Sequence, residues 1–313
     1  MIPVVILAAG GGKRLGEVGK LFNKALLPVG DGPLLSHHFR NFSSIGADEF
    51  ILVTDPASPE LEKEARRLAA GAGLSVVHQA ERRGIGHAAL LAEPWLKGRP
   101  FVLVLGDTYY SPKDLSSPVK EISGGGPGAV LSVRRVEDEA EILKECTIEL
   151  GPDNSVRRII EKPKKVLSMV KPCGVYFFGP RFIEVLKNTP PSALRGEIEL
   201  TDAIQGLIAG GARVTARETL NLDVNITYPA DILKANLAWL RENGAANFTD
   251  PGADVDEGAV LEDSVVSALA SVGAGSRLVR TVVFPCASVP AGVSLSDTLV
   301  LPGLEVPLSA AAS

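Results

Sequence analysis

Apolar residues arrive along this chain in short β-branched bursts: VVIL at 4–7, FILVTD at 50–55, SVVHQ at 75–79, FVLVLGD at 101–107, GAVLSVRRV at 128–136 and GVYFFG at 174–179. Most do not alternate with polar residues, which predicts strands buried on both faces, as in a parallel sheet. Between several of them the pattern changes to a helical one. SPELEKEARRLAAGAG offers a Ser58 cap, Pro59 in the first turn and glycine at its stop, and TYPADILKANLAWLRENG predicts a long helix from Pro229 to Gly244. Strands alternating with helices predict an α/β fold, a Rossmann-like doubly wound sheet of mixed or parallel strands.

After NFTDPG the texture changes. Residues 253–303 show Val, Leu and Ala recurring every five or six residues among Gly, Ser and Asp, with no helical pattern. Such a stretch predicts a few turns of a small C-terminal β-solenoid; an irregular tail is the competing reading. Only about two turns fit, few for independent stability, so the segment is expected to lean on the first domain or on another subunit. The boundaries drawn from these patterns are a domain over 1–245 and a smaller one over 250–305, with the closing LSAAAS disordered.

With 313 residues, 45% of them hydrophobic, the chain can bury a substantial core. A net charge of −5 gives no overall attraction to nucleic acid, so any basic site is local and small, and no nucleic-acid partner is expected. No apolar run approaches the ~20 residues of a membrane helix, so no membrane partner is expected either. Cys146, Cys173 and Cys286 are widely spaced and odd in number, which fits neither a disulfide framework nor a zinc site. The start of the chain lacks a basic region and cleavage site. A soluble cytoplasmic protein is the expectation.

The candidate chemistry begins where the first strand runs into glycines and two cations, in VVILAAGGGKRLG at 4–16. A glycine turn after a buried strand lets phosphate approach backbone N–H groups, and Lys13 and Arg14 suit a negatively charged ligand. A P-loop is excluded because Gly12-Lys13 is followed by Arg14 rather than Ser or Thr, and the dinucleotide pattern fails because Leu15 stands where a third glycine is needed. Asp107 falls at the C-terminal end of a buried strand, where open α/β sheets bind ligands. A carboxylate there suits a hard cation beside phosphates.

The wider stretch LAAGGGKRLGEVGKLFNKALLPVGDGPLL resembles the signature of the sugar-1-phosphate nucleotidyltransferases, the family that includes glucose-1-phosphate thymidylyl- and uridylyltransferases. The resemblance covers about residues 2–240 in motif order. It implies that Leu7, Ala8, Ala9, Gly10, Gly12 and Lys13 form the nucleotide loop, that Arg14 grips the triphosphate, and that Lys24 contacts phosphate. Asn23 departs from the proline usual in that family. In QAERRGIGHA, Gln79 and Gly84 would read the nucleobase, while His87 is read as helix-facing. Asp107 would bind Mg²⁺, the implied cofactor, with a second ligand from NLDVNITYPADIL; spacing leaves Asp223 and Asn225 both open.

The same resemblance assigns sugar hydroxyls to Glu161 and the sugar phosphate to Lys162 in RRIIEKPKK, and places Gly174 and Tyr176 at a strand edge beside the sugar. RGEIELTDAI would bring Glu197 to sugar hydroxyls, with Thr201 and Asp202 as a helix N-cap and Glu199 structural. The tail has parallels in relatives that carry a left-handed β-helix. Here it is short and no histidine follows His87, so assembly into a homo-oligomer, or regulation, is expected rather than acyl transfer. The implied reaction joins a nucleoside triphosphate and a sugar 1-phosphate to give a nucleotide sugar and pyrophosphate, with dTTP or UTP and glucose 1-phosphate as the first pairing. A cytidylyl- or guanylyltransferase acting on another phosphate, and a non-catalytic nucleotide-sugar-binding regulatory subunit, are the alternatives.

Overall fold

All six of the β-branched bursts become neighbours in one sheet, where apolar residues on both faces can be buried while the backbone groups are satisfied by pairing. In a computed structural model of the chain, which describes residues 2–308 apart from Ala70 and Leu194, seven strands form one sheet. Their order is 214–217, 129–135, 170–178, 101–105, 4–8, 49–54 and 73–78. Of the closing LSAAAS, for which disorder is expected, Leu308 donates its amide to the Asp297 carbonyl at 2.7 Å, and residues 309–313 lie outside the described residues.

The sheet is mixed. Strand Val4–Ala8 runs parallel to both its neighbours, whereas Val170–Phe178 runs antiparallel to 101–105 and to 129–135. Every residue of Val170–Phe178 is buried, so its apolar run gave no hint of direction. Burial on both faces reports position inside a sheet, not polarity. A further antiparallel ribbon, Cys146–Leu150 with Val156–Glu161, carries the E-K-P element at its end.

The helical expectations hold with small shifts. Ser58 is the N-cap of Pro59–Leu68. The long helix spans Pro229–Glu242, and the Asp231 carboxylate accepts from the amides of Thr227 and Tyr228 at 2.8 and 2.7 Å, closing its N-terminus as a capping box does. Thr201 and Asp202 are not caps. Helix Leu200–Ala209 has Glu199 at its N-cap, and both residues lie inside the first turn.

From Phe248 onward short strands stack in parallel with a constant offset of 17 residues: Phe248 with Val265, Val265 with Val282 and Val282 with Leu299. A second face stacks Asp254, Ser271 and Ser288, and a third stacks Val260, Arg277 and Ser294. The corners share one backbone conformation, since Asp263, Arg280 and Asp297 all take left-handed φ between 43° and 47°. Parallel coils of this kind are consistent with a β-helix. An antiparallel strand, Leu304–Pro307, covers the last coil.

The chain divides into two compact units. One comprises Met1–Gly10, His38–Gly106 and Tyr110–Asp223, and holds the whole seven-stranded sheet. The other comprises Gly11–His37, Asp107–Tyr109 and Val224–Ser313, and so gathers the cationic loop, the long helix and the coiled strands. Among the described residues no helix is long and apolar enough to cross a membrane.

Candidate active site

In the second unit the glycine loop makes a tight helical turn, Lys13–Leu15, with Gly12 at its N-cap in left-handed φ 60°. Gly19 must be glycine, because a Cβ there would lie 2.3 Å from the Gly12 carbonyl oxygen. Lys13 and Arg14 are left exposed at the surface of the turn, while Leu15 anchors it from beneath. A second helical turn, Lys24–Leu26, is capped by Asn23, whose side chain accepts from the Ala25 amide at 2.9 Å. That capping bond is the physical reason Asn can stand at this position.

Lys24 Nζ donates to Asp107 Oδ2 at 3.0 Å, with the lysine mostly buried and the carboxylate about a third exposed. The Asp107 carbonyl accepts from the Ile226 amide at 2.9 Å, which brings Asn225, the residue before it, alongside Asp107. Lys13, Arg14, Lys24, Asp107 and Asn225 therefore share one unit.

The first unit carries the remainder. Leu7, Ala8 and Ala9 end the first strand, and the Gly106 amide donates to the Leu7 carbonyl at 2.8 Å. Gly10 is exposed with open space where a Cβ would stand. Gln79 follows the edge strand and is buried; its amide nitrogen lies 3.2 Å from the Gly84 carbonyl and 3.1 Å from His87 Nδ1. Burial, then the Arg83 charge, hold the His87 pKa below its ordinary value.

Gly84 has φ 98°, and a Cβ on it would lie 2.7 Å from the Ile198 carbonyl oxygen and 2.9 Å from Glu197 Cβ. The Gly86 amide donates to that same carbonyl, and Ile198 donates to Arg83. The expected base-reading segment and the expected sugar segment are thus laced together by backbone.

Gly174 sits at φ 73° where the pairing of Val170–Phe178 with its neighbour slips register. A Cβ there would meet Tyr110 Oη at 2.9 Å; that hydroxyl lies 2.8 Å from the Leu105 carbonyl and 3.1 Å from the Gly174 carbonyl. The Tyr176 ring is buried and stacked on Phe178, with its phenol held protonated by burial.

Glu161 and Glu199 lie on either side of one guanidinium: Arg195 is 3.7 Å from the first carboxylate and 3.5 Å from the second. Burial, then the Glu199 charge, raise the Glu161 pKa to about 7. Burial also raises that of Glu199. Lys162 is exposed and takes left-handed φ 42°, held by its amide donating to the Glu145 carbonyl at 2.8 Å. Glu197 is half-buried, and its carbonyl accepts from Ser192.

Asp223 is buried in this unit, with Arg134 Nε at 2.7 Å from Oδ1 and Lys171 Nζ at 3.0 Å from Oδ2. Burial alone would raise its pKa, but Lys171 and Arg134 outweigh that and hold it below the ordinary range. Each oxygen is therefore engaged by a cation. The donors at Asp107 and Asn225 are all oxygen, the chemistry a hard cation such as Mg²⁺ takes. Among the described residues no group of three or more His, Cys, Asp or Glu is placed to hold a metal. Such a pair fits an ion bound largely through phosphate oxygens, as Mg²⁺ commonly is.

The profile of one sequence family, described as Nucleotidyl transferase, matches residues 3–236. The chain belongs to that family. This nucleotidyltransferase is 30% identical over 229 residues to UTP–glucose-1-phosphate uridylyltransferase AglF of Haloferax volcanii, covering 72% of the chain and 92% of that protein. It is 28% identical over 280 residues to glucose-1-phosphate thymidylyltransferase of Streptomyces griseus, covering 87% and 78%. A solved structure of a putative glucose-1-phosphate thymidylyltransferase from Bacillus anthracis, in complex with a sucrose, superposes with a TM-score of 0.69 at 25% identity, over 76% of this chain and 95% of that one. The UDP-glucose pyrophosphorylase complexed with UDP-glucose shares the fold at a TM-score of 0.67 and 24% identity, over 77% and 100%.

Several groups that the sequence reading passed over stand beside the candidate residues of this nucleotidyltransferase. Glu199, read as structural, faces Glu161 across Arg195, and Lys171, Arg134 and Glu145 surround Asp223. Only Glu199 had a local signal, its place in RGEIELTDAI. The others lie in ordinary strand and helix-end sequence, and pairing alone brings them together.

Proposed function

We propose that this chain catalyses attack by a phosphate oxygen of a sugar 1-phosphate on the α-phosphorus of a nucleoside triphosphate, giving a nucleotide sugar and pyrophosphate. We assign dTTP or UTP and glucose 1-phosphate as the substrates, by analogy with the uridylyl- and thymidylyltransferase relatives. The observation that carries the sugar half is the Glu161–Arg195–Glu199 cluster next to Lys162, which sets carboxylate acceptors for hydroxyls beside a cation for phosphate.

Phosphoryl and nucleotidyl transfers ask little covalent chemistry of the protein; alignment and charge neutralisation do most of the work. In this reading Leu7, Ala8, Ala9, Gly10 and Gly12 offer backbone to the nucleotide, while Lys13 and Arg14 neutralise the triphosphate and the departing pyrophosphate. Lys24 holds Asp107 and contacts phosphate. Gln79 and Gly84 face the base, Lys162 holds the incoming phosphate, and Glu161, Glu197, Gly174 and Tyr176 hold the sugar. Mg²⁺ held by Asp107 with Asn225, rather than with Asp223, whose two oxygens are each engaged by a cation, would supply Lewis-acid charge neutralisation. Residues 1–245 are assigned to catalysis and 250–305 to a left-handed β-helix that assembles the protein into a homo-oligomer in the cytoplasm.

The test is a matrix of nucleoside triphosphates against sugar 1-phosphates, with Mg²⁺ and a pyrophosphate readout. One pairing is expected to dominate. Absence of pyrophosphate release from every pairing overturns the reading.

A further inference from the structure

Behind the proposed sugar-phosphate lysine lies a charged cluster that no part of the reaction above uses. Lys171 belongs to the fully buried strand Val170–Phe178, and its side chain is only 3% exposed. A lysine in that place is costly unless its charge is matched. Its ammonium lies 2.7 Å from Glu145 Oε2, 3.0 Å from Asp223 Oδ2 and 3.8 Å from Glu141 Oε2. Arg134 closes the ring, at 2.7 Å from Asp223 and 3.2 Å from Glu141. Two cations and three carboxylates drawn from separate elements thus share one set of contacts.

The cluster connects directly to the E-K-P turn. Glu145 gives its side chain to Lys171 and its carbonyl to the Lys162 amide, at 2.8 Å. Lys162 needs that hold, because a non-glycine residue at φ 42° occupies a sparsely populated conformation that its surroundings must impose. In the adjacent ladder Glu161 pairs with Cys146, the residue after Glu145, so the same peptide also sets Glu161.

We propose that Lys171 is a positioning residue for the sugar-phosphate half of the reaction, acting through Glu145 to fix the backbone of Lys162. Asp223 and Arg134 complete the clamp that keeps the ammonium in place. The proposal builds on the sugar-phosphate role assigned above to Lys162, and it adds a residue from the strand core to that subsite.

The tests use the full chain. In Lys171→Met the KM for glucose 1-phosphate is expected to rise at least tenfold, with the KM for the nucleoside triphosphate changed less than twofold; Lys171→Arg is expected to restore most of the loss. Equal changes in the two KM values, or none in either, overturn the proposal, since a merely structural lysine would lower thermal stability without choosing between substrates. Should Lys171→Met not fold, Glu145→Gln takes its place, with the same selective rise expected and an unchanged KM overturning it. Hydrogen exchange at the Lys162 amide gives a readout without turnover: at least tenfold faster exchange in the variant supports the clamp, and unchanged exchange refutes it. If the wild-type chain makes no nucleotide sugar from any pairing, the assigned activity falls while that exchange measurement still decides the role of Lys171.

Discussion

Single residues set the chemistry here through what each side chain already touches. Asp107 keeps about a third of its side chain exposed and is tied to Lys24. Asp107→Asn is expected to lower kcat by about 100-fold or more with circular dichroism unchanged, since it removes the charge proposed for metal binding and loses nothing from the core. Near-normal turnover in that variant removes the metal assignment. Glu161 gives a pH signature. With burial and Glu199 lifting its pKa to about 7, the folded chain keeps a proton that the unfolded chain has already released. Stability therefore falls as pH rises from the ordinary glutamate range to about 7, and is at its fullest below that range. Glu161→Gln is expected to flatten this part of the profile of unfolding midpoint against pH; an identical slope in variant and wild type sinks the argument. Gly174→Ala forces a Cβ to 2.9 Å from Tyr110 Oη at φ 73° and is expected to cost roughly 2–3 kcal/mol in urea unfolding.

Elements show what hydrophobic patterning carries and what it leaves out. The bursts at 4–7, 50–55 and 101–107 became parallel strands because their β-branched residues fill both faces of a sheet. The direction of Val170–Phe178 was not legible, since a strand buried on both faces looks the same in either orientation. The ribbon of Cys146–Leu150 and Val156–Glu161 escaped because its apolar residues are few and interrupted by Glu149, Arg157 and Arg158. Helices were read more closely where they carry caps. Asp231→Ala, which strips two capping bonds from Pro229–Glu242, is expected to lower stability by about 1–2 kcal/mol, measured by thermal unfolding. The candidate site divides along the same line. Residues within contiguous motifs, such as Arg14, Lys24 and Glu161, could be put forward from the resemblance those motifs carry; Lys171, Arg134 and Glu145 become neighbours of Asp223 only through strand pairing over long separations in sequence.

At the scale of the molecule, the chain's linear order and its spatial grouping differ. The loop Gly11–His37 groups with the coiled C-terminal strands, although more than two hundred residues separate them in sequence. The long helix secures that grouping from within the unit. Asn236 accepts from the Gly30 amide at 2.8 Å and donates to the Pro28 carbonyl at 2.9 Å, and Gly30 leaves room for the Trp239 ring where any Cβ would clash. Removal of residues 250–313 is expected to lower the number of subunits per particle in analytical ultracentrifugation, as the assembly role of the coils requires. An unchanged number of subunits counts against that role.

Phe22 meets Phe284 edge to face, ring centroids 5.1 Å apart, and Phe284 is fully buried among the coils. Phe22 lies two residues before Lys24 and eight after Arg14, so the cationic loop is seated on the far end of the chain. Synthesis from the N-terminus must then leave that loop without its seat until residue 284 has emerged. A chain cut short before that point carries the whole cationic loop and still lacks the aromatic contact that seats it.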